Sequence, residues 1–230
     1  MSKISVAIDG PAGAGKSSVA KAAASALGYV YIDTGAMYRS VAVFAIENGI
    51  DIKNEREKLI KRLGEIDISL KNEDGRQKVC LNGRDVTERI RLADASMGAS
   101  LVAVIPEVRA KLVSEQKELG AKGGIIMDGR DIGTSVLPGA ELKIYLTASA
   151  DVRAKRRYDE NREKGIECEL EEIKRDVIKR DENDMNREVS PLRRADDAVL
   201  LDTSDMTFAE VVETVIGLIK EREKDAVRVQ

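Results

Sequence analysis

Short apolar runs alternate with longer amphipathic runs along most of this chain. Apolar residues at every second position predict a first buried strand at Ile4, Val6 and Ile8. Further strands are predicted at 29–32, 124–127, 142–146 and 198–201. Helices are predicted at 16–27, 37–46, 93–104, 107–119 and 208–223, with two highly charged helical segments within 150–186. Strands that alternate with helices favour an α/β fold, with a central, mainly parallel sheet flanked by helices.

The segment 66–86 has a different pattern. Ile68 and Leu70 alternate with polar residues, as in a half-buried strand. Asp74-Gly75 and Asn82-Gly83 are signals for tight hairpin turns. We therefore expect a small antiparallel sheet inserted into the α/β chain.

Composition narrows the classes of function. The 230 residues are 43% hydrophobic and 34% charged, with a net charge of −3, so no positive field indicates nucleic acid as a partner. The chain has no histidine, which excludes Ser-His-Asp and Cys-His catalysis and most zinc sites. Cys80 and Cys168 lack metal-ligand spacing. Without a signal-peptide pattern or a bilayer-length apolar run, we expect a cytoplasmic protein that binds no membrane.

A phosphate-binding motif lies between the first strand and the first helix. Residues 10–17 match G-x-x-x-x-G-K-[ST], in which successive backbone N–H groups surround a phosphate. Lys16 is placed to reach the β- and γ-phosphates of ATP, and the Ser17 hydroxyl to bind Mg²⁺. The predicted ATP-binding residues are Gly10, Pro11, Ala12, Gly13, Ala14, Gly15, Lys16, Ser17 and Ser18. No Asn/Thr-Lys-x-Asp motif of a G-protein switch is present.

Two charged turns follow predicted strands, at 33–39 and 128–131. Ligands of open α/β sheets lie beyond the carboxyl ends of strands, so Arg39 is a candidate for a phosphate and Tyr38 for a sugar or base. Two alternatives stay open: Tyr38 in the core and Arg39 as a solvated surface charge. The second turn could equally be a loop stabilised by its own Asp–Arg pairs.

Arginines recur at helical spacing in the last third of the chain. One set contains Arg153, Arg156 and Arg157, and the other contains Arg180, Asp184 and Arg187. Such faces are usually solvated helix surface. A kinase, however, must neutralise two phosphate groups held close together, for which arginine is suited. The helical break near Gly165 would suit a mobile lid.

These segments together resemble bacterial cytidylate kinases over nearly the whole chain. The resemblance lies in IDGPAGAGKSS, IDTGAMYR, GASLVAVIPEVR, MDGRDIGT and KRDENDMNREVSPLRRADDA. It implies a P-loop kinase fold with the small sheet in the monophosphate-binding region and a helical lid. Arg130-Asp131 stands where adenylate and uridylate kinases have a different sequence.

The resemblance also implies roles for matched positions. The residues that would read cytosine are Ser100, Arg109 and Asp131. Those that would hold the acceptor phosphate are Arg39, Arg130 and Arg187, and those near the sugar are Tyr38, Arg180 and Asp184. Thr34 stands where the family also shows serine. The residues expected to act on the transferring phosphate are Lys16, Arg130, Arg153, Arg157 and Arg187, with Arg153 and Arg157 coming from the lid.

The hydrogen-bonding pattern of cytosine fits this base-reading set. Asp131 can accept from the amino group, while Arg109 and Ser100 can donate to N3 and O2. Each mispaired buried polar group costs about 1–3 kcal/mol, so UMP should be a poor substrate and dCMP should still react. The expected partners are therefore ATP and CMP or dCMP, with Mg²⁺ as cofactor.

We expect one P-loop kinase domain over 1–230, acting as a monomer. Its predicted parts are a core of 1–33, 93–150 and 188–230, a CMP-binding region of 34–92, and a lid with the following helix at 151–187. Two alternatives remain. A P-loop kinase for a hydroxyl acceptor such as a sugar acid would need a general base, and a nucleotide sensor would bind ATP without an acceptor.

Overall fold

The computed structural model describes residues 3–73, 76–163 and 165–228. The strands are β1 (Ser5–Asp9), β2 (Val30–Asp33), β3 (Ile68–Glu73), β4 (Arg76–Leu81), β5 (Arg84–Asp85), β6 (Ile125–Gly129), β7 (Leu142–Thr147) and β8 (Val199–Asp202). The helices are α1 (Lys16–Leu27), α2 (Thr34–Glu47), α3 (Arg56–Lys61), α4 (Ala93–Val102), α5 (Pro106–Gly120), α6 (Ala150–Glu163), α7 (Leu170–Asn186) and α8 (Phe208–Arg228).

The strands form two sheets within the described residues. The larger has five strands in the order β2-β6-β1-β7-β8, and β1 pairs in parallel with both β6 and β7. The smaller consists of β3, β4 and β5 in antiparallel pairing. The α/β fold with an inserted antiparallel sheet, predicted from the hydrophobic pattern, is confirmed. The predicted turn at Asp74-Gly75 lies outside the described residues.

The chain divides into two compact units, the first composed of Met1–Tyr31 with Gly120–Gln230 and the second of Ile32–Leu119. The core of the first unit lies between β1, β6 and β7 and the helices α1 and α8. Ile8, Ile126 and Ile144 of the sheet are buried against Val215 and Ile219 of α8. Burial of each such side chain stabilises the fold by about 1.5–3 kcal/mol, so this sheet is a rigid base for the loops at its carboxyl edge.

The second unit has its own core, in which α2 packs against α4. The fully buried residues of this contact include Val41, Ala42 and Val102. The same cluster also contains Leu59 and Leu112. The unit is larger than the predicted 34–92 region, because α4 and α5 contribute to this core.

Helix α2 begins three residues before the predicted position. The carboxylate of Asp33 accepts a hydrogen bond from the Ala36 N–H at 2.9 Å and so caps the helix. Such a cap stabilises a helix by about 1 kcal/mol. As a result Thr34, which was expected to lie in a loop, occupies the first turn of α2 and is buried.

Two charged helices follow β7, as predicted. Ala154 of α6 packs against Ile173 and Val177 of α7 in a small separate cluster. No helix in the described part of the chain is long and apolar enough to cross a lipid bilayer.

Candidate active site

The phosphate-binding loop connects β1 to α1 at the carboxyl edge of the parallel sheet. At Gly10 a Cβ atom would lie 1.9 Å from the carbonyl oxygen of Leu146, and φ is +150°, so only glycine fits. The Lys16 ammonium folds over the loop and donates to the Pro11 carbonyl at 2.7 Å. The predicted motif is therefore a folded loop with its lysine in place.

Lys16 is almost completely buried, with 5% of its surface exposed. Burial lowers the pKa of its ammonium, and the nearby positive charge of Arg130 lowers it further, against the opposing effect of Asp128 and Asp9. A buried cation is stabilised when an anion binds beside it. This environment therefore favours the binding of a polyphosphate at Lys16.

A carboxylate adjoins the serine of the motif. The Ser17 hydroxyl donates to Asp128 at 2.7 Å, and the Tyr31 hydroxyl donates to the other oxygen of the same carboxylate at 2.7 Å. Hydroxyl and carboxylate oxygens are ligands that Mg²⁺ prefers. No role for Asp128 was predicted from the sequence. The available signal was only an acidic residue near the carboxyl end of a predicted strand, since the pairing of Asp128 with Ile8 is seen only in the structure.

Arginines and carboxylates form pairs beside this loop. Arg130, which follows β6, donates from Nε to Asp184 of α7 at 2.7 Å. Burial alone would lower the pKa of Arg130, but Asp184 raises it above the ordinary value. One turn earlier on α7, Asp181 accepts from Arg153 at 2.6 and 3.1 Å. Helix α7 thus presents two carboxylates three residues apart, each bound to one arginine.

The two arginines expected from the lid occupy different environments. Arg153 is 5% exposed and also donates to the carbonyl of Ala12 in the P-loop at 2.9 Å and to that of Ala148 at 2.8 Å. Arg157 lies on the exposed surface of α6. The structure therefore shows Arg153 hydrogen-bonded to the backbone of the phosphate loop, a contact that helical spacing did not predict.

The turn after β6 holds the predicted base-reading acid. Asp131 is 5% exposed and accepts from Nη2 of Arg187 at 3.3 Å. Nε of Arg187 donates to the Ser190 carbonyl at 2.5 Å, and Arg180 is half-buried on α7. The structure thus brings Asp131 and Arg187 together, about 56 positions apart in sequence.

The other predicted acceptor residues belong to the second unit. Arg39 donates to Asp33 at 2.9 Å. The guanidinium of Arg109, which is 2% exposed, lies 5.7 Å from the centre of the Tyr38 ring. Ser100 is half-buried on α4. Within this unit, Tyr38 and Arg109 are therefore neighbours.

Fold and site together define a P-loop kinase: a phosphate loop at the edge of a parallel sheet, a lysine and a serine–aspartate pair, and arginines close by. A gluconokinase from Sinorhizobium meliloti 1021 has a similar fold, with a TM-score of 0.52 at 16% identity, covering 99% of this chain and 98% of that one. At this identity the similarity shows the fold alone. The family model for cytidylate kinase matches residues 6–221, and the chain belongs to that family.

Curated relatives support the same assignment. A cytidylate kinase from Caldicellulosiruptor bescii is 52% identical over 218 residues, covering 95% of this chain and 96% of the relative. One from Anoxybacillus flavithermus is 50% identical over 220 residues, covering 96% and 97%. The family resemblance found in the sequence motifs is confirmed.

Proposed function

We propose that this protein transfers the γ-phosphate of ATP to CMP or dCMP and forms CDP or dCDP. The observation that carries the proposal is the run Asp128-Gly129-Arg130-Asp131 at the end of β6. In this run Asp128 accepts a hydrogen bond from Ser17 of the P-loop, and Arg130 donates one to Asp184 of α7. Asp131 is a buried acid that suits the amino group of cytosine. Membership of the cytidylate kinase family supports the same reaction.

The acceptor needs no general base. A phosphomonoester has a second pKa near 6 and is mostly ionised at neutral pH, so its own oxygen is the nucleophile. This fits a chain without histidine. The protein contributes positioning and charge neutralisation, with no covalent enzyme intermediate. We assign these tasks to Lys16, Arg130, Arg153, Arg157 and Arg187, with residues 10–18 around the ATP phosphates.

Ser17 is proposed to hold Mg²⁺ together with Asp128, because their paired oxygens form a hard-ligand set. When bound, the ion neutralises charge on the nucleotide phosphates. The two residues would orient it against the loop, and Tyr31 would hold the Asp128 carboxylate in place.

The acceptor nucleotide is proposed to be read by hydrogen bonds. Asp131 would accept from the cytosine amino group, while Ser100 and Arg109 would donate to N3 and O2. The residues assigned to the sugar and the acceptor phosphate are Thr34, Tyr38, Arg39, Arg130, Arg180, Asp184 and Arg187. When uracil occupies a site that pairs with the amino group of cytosine, polar groups of the site are left without a hydrogen-bond partner.

Three further features belong to this proposal. The helical region 151–187 would act as a lid that excludes water during transfer. The enzyme would act as a monomer in the cytoplasm. Its partners would be small nucleotides rather than nucleic acid or membrane.

A coupled assay of ADP formation tests this proposal. With Mg-ATP and a panel of AMP, CMP, dCMP, UMP and GMP, we expect rapid turnover with CMP and dCMP and slow turnover with the others. Lys16→Ala should lower kcat by about a thousandfold, because the transferring phosphate loses its buried cation. Lys220→Ala, which removes an exposed lysine of α8, is the matched control and should leave turnover unchanged.

Two results would contradict the proposal. A kinase for a sugar acid would phosphorylate gluconate or a similar acid and none of the five nucleotides. A nucleotide sensor would bind ATP, and no acceptor in the panel would accelerate ADP formation.

A further inference from the structure

Asp9 is a buried acid that the proposed reaction does not use. It ends β1, directly before Gly10 of the phosphate loop, and is 5% exposed. Its Oδ1 accepts from the Ile132 N–H at 2.8 Å, and its Oδ2 accepts from the Gly133 N–H at 2.7 Å. Both oxygens of the carboxylate are thus occupied by two consecutive amides, 123 and 124 positions further along the chain.

These two amides belong to the turn that carries Asp131. The peptide nitrogen of Ile132 is bonded to the carbonyl carbon of Asp131, so a hydrogen bond to that N–H orients the peptide plane next to the base-reading acid. The turn continues as a single π-helical segment, Ile132–Val136. Segments of this kind are frequent at functional sites and need support from their surroundings.

The turn is enclosed from its other side as well. A Cβ at Gly133 would lie 3.1 Å from Cδ of Lys143 and 3.4 Å from Oδ2 of Asp9. The Lys143 stem is held in place because its ammonium donates to both oxygens of Asp197, at 3.0 and 2.8 Å. The backbone at Gly133 therefore lies between Asp9 and Lys143, and a Cβ there would be in tight contact with both side chains.

The carboxylate of Asp9 is unfavourable for the folded state at neutral pH. Burial raises the pKa of Asp9 to about 6, since it outweighs the two amide hydrogen bonds, and the charge of Asp131 adds to the increase. When the pH lies above this raised pKa, the folded protein keeps Asp9 ionised in a buried place. The folded state is then less stable relative to the unfolded chain, in which the pKa of this acid is ordinary. Groups retained at such a cost are typical of functional sites.

We propose that Asp9 is a positioning residue for base recognition: through the Ile132 and Gly133 amides it holds Asp131 in the orientation that selects CMP over UMP. The inference rests on the proposed function, since it presupposes that CMP is the acceptor. Asp9 would act on the acceptor base without contacting it. Its loss should therefore change the ratio between acceptors, whereas any effect of the Asp9 charge on Lys16 applies to both acceptors alike.

Asp9→Asn tests this role. The asparagine keeps one acceptor oxygen and places an NH₂ group against the second N–H, so one of the two bonds is lost. We expect the ratio of kcat/KM for CMP to that for UMP to fall about tenfold, because a displaced Asp131 would weaken its hydrogen bond to the amino group of cytosine. The charge of Asp9 also supports the Lys16 ammonium, so a loss of turnover common to both acceptors is expected as well, and it cancels in the CMP/UMP ratio.

Tyr29→Phe is the matched control. The Tyr29 hydroxyl accepts from the Ile4 N–H at 3.1 Å and donates to Glu223 at 2.7 Å. The variant thus also removes two buried hydrogen bonds, one of them to Ile4, the residue that precedes β1 at the end opposite to Asp9. It should lower the melting temperature and leave the CMP/UMP ratio unchanged.

The outcomes separate this inference from the proposed function. A wild-type enzyme without CMP kinase activity would remove the proposed function and this inference with it. A wild-type enzyme that prefers CMP, with Asp9→Asn showing the wild-type ratio, would overturn the role of Asp9 alone. If circular dichroism shows that Asp9→Asn is unfolded, Asp9→Glu is the second variant, because it keeps the charge and moves the carboxylate away from the two amides by one methylene group. A lowered ratio in that variant supports the inference, and an unchanged ratio overturns it.

Discussion

At the scale of single residues, Asp131 carries the proposed choice between cytosine and uracil. A carboxylate accepts from the amino group of cytosine, whereas uracil presents an oxygen at the same place. Asp131→Asn supplies a donor for that oxygen. We therefore expect the CMP/UMP ratio of kcat/KM to fall by about ten- to a hundredfold, measured by initial rates with each nucleotide.

Asp196→Asn is a suitable control for this prediction, since it neutralises an exposed acid of the same unit. Its ratio should equal that of the wild-type enzyme. An unchanged ratio in Asp131→Asn would show that another group reads the base.

Residues of local motifs could be predicted from the sequence, whereas residues defined by distant contacts could not. Lys16 and Ser17 are placed by one contiguous loop, and the structure shows that loop folded as expected. Asp9 and Asp128 depend on partners more than 100 positions away. Because no local pattern encodes such a contact, no role was predicted for Asp9, and Asp128 was predicted only as part of a charged turn after a strand.

At the scale of elements, a partly buried ion pair between Arg153 and Asp181 links α6 and α7 to the phosphate loop. Asp181 of α7 accepts from Arg153 of α6, which donates in turn to the Ala12 carbonyl. Asp181→Ala would leave the guanidinium of Arg153 buried without a counter-charge. We expect the free energy of unfolding to fall by about 3 kcal/mol, measured by urea denaturation.

An exposed pair on the same helix provides the comparison. Asp159 pairs with Lys155 on the surface of α6, and both side chains are about half exposed. Asp159→Ala should change the free energy of unfolding by less than about 1 kcal/mol. Equal effects of the two substitutions would contradict the structural role assigned to Arg153.

Elements with a strong period were predicted well, and the short helical segments were not. The strands of the parallel sheet and the long helices lie within a few residues of the predicted bounds, because burial imposes a regular apolar spacing on them. Helix α3 has six residues, and the π-helical turn at Ile132–Val136 has five. Segments of that length contain too few turns to show a period.

At the scale of the whole molecule, the chain consists of two compact units with separate cores. The first is assembled from two distant segments, and the second is the continuous stretch Ile32–Leu119. The sequence predicted the inserted sheet from its alternating pattern. It did not indicate that α4 and α5 share a core with α2, since helix periodicity identifies a buried face but not the partner that covers it.

Because the two units have separate cores, we expect each unit to have its own free energy of local opening. Leu112 in the second unit and Ile219 in the first are fully buried helix residues in different clusters. Truncation of either to alanine should cost about 2–5 kcal/mol, because it removes apolar contacts and leaves a cavity. Regions of a protein can open independently when few contacts join their cores, and amide hydrogen exchange measures the free energy of each opening.

We therefore expect Leu112→Ala to accelerate exchange mainly for amides within 32–119, and Ile219→Ala mainly for amides of α1, α8 and the parallel sheet. Each variant serves as the control for the other, because both remove a large aliphatic side chain from a helix. Native-state exchange with mass spectrometry resolves the two sets of peptides. If both variants accelerated exchange uniformly along the chain, the two units would unfold as one cooperative body, and the separation of their cores would have no thermodynamic consequence.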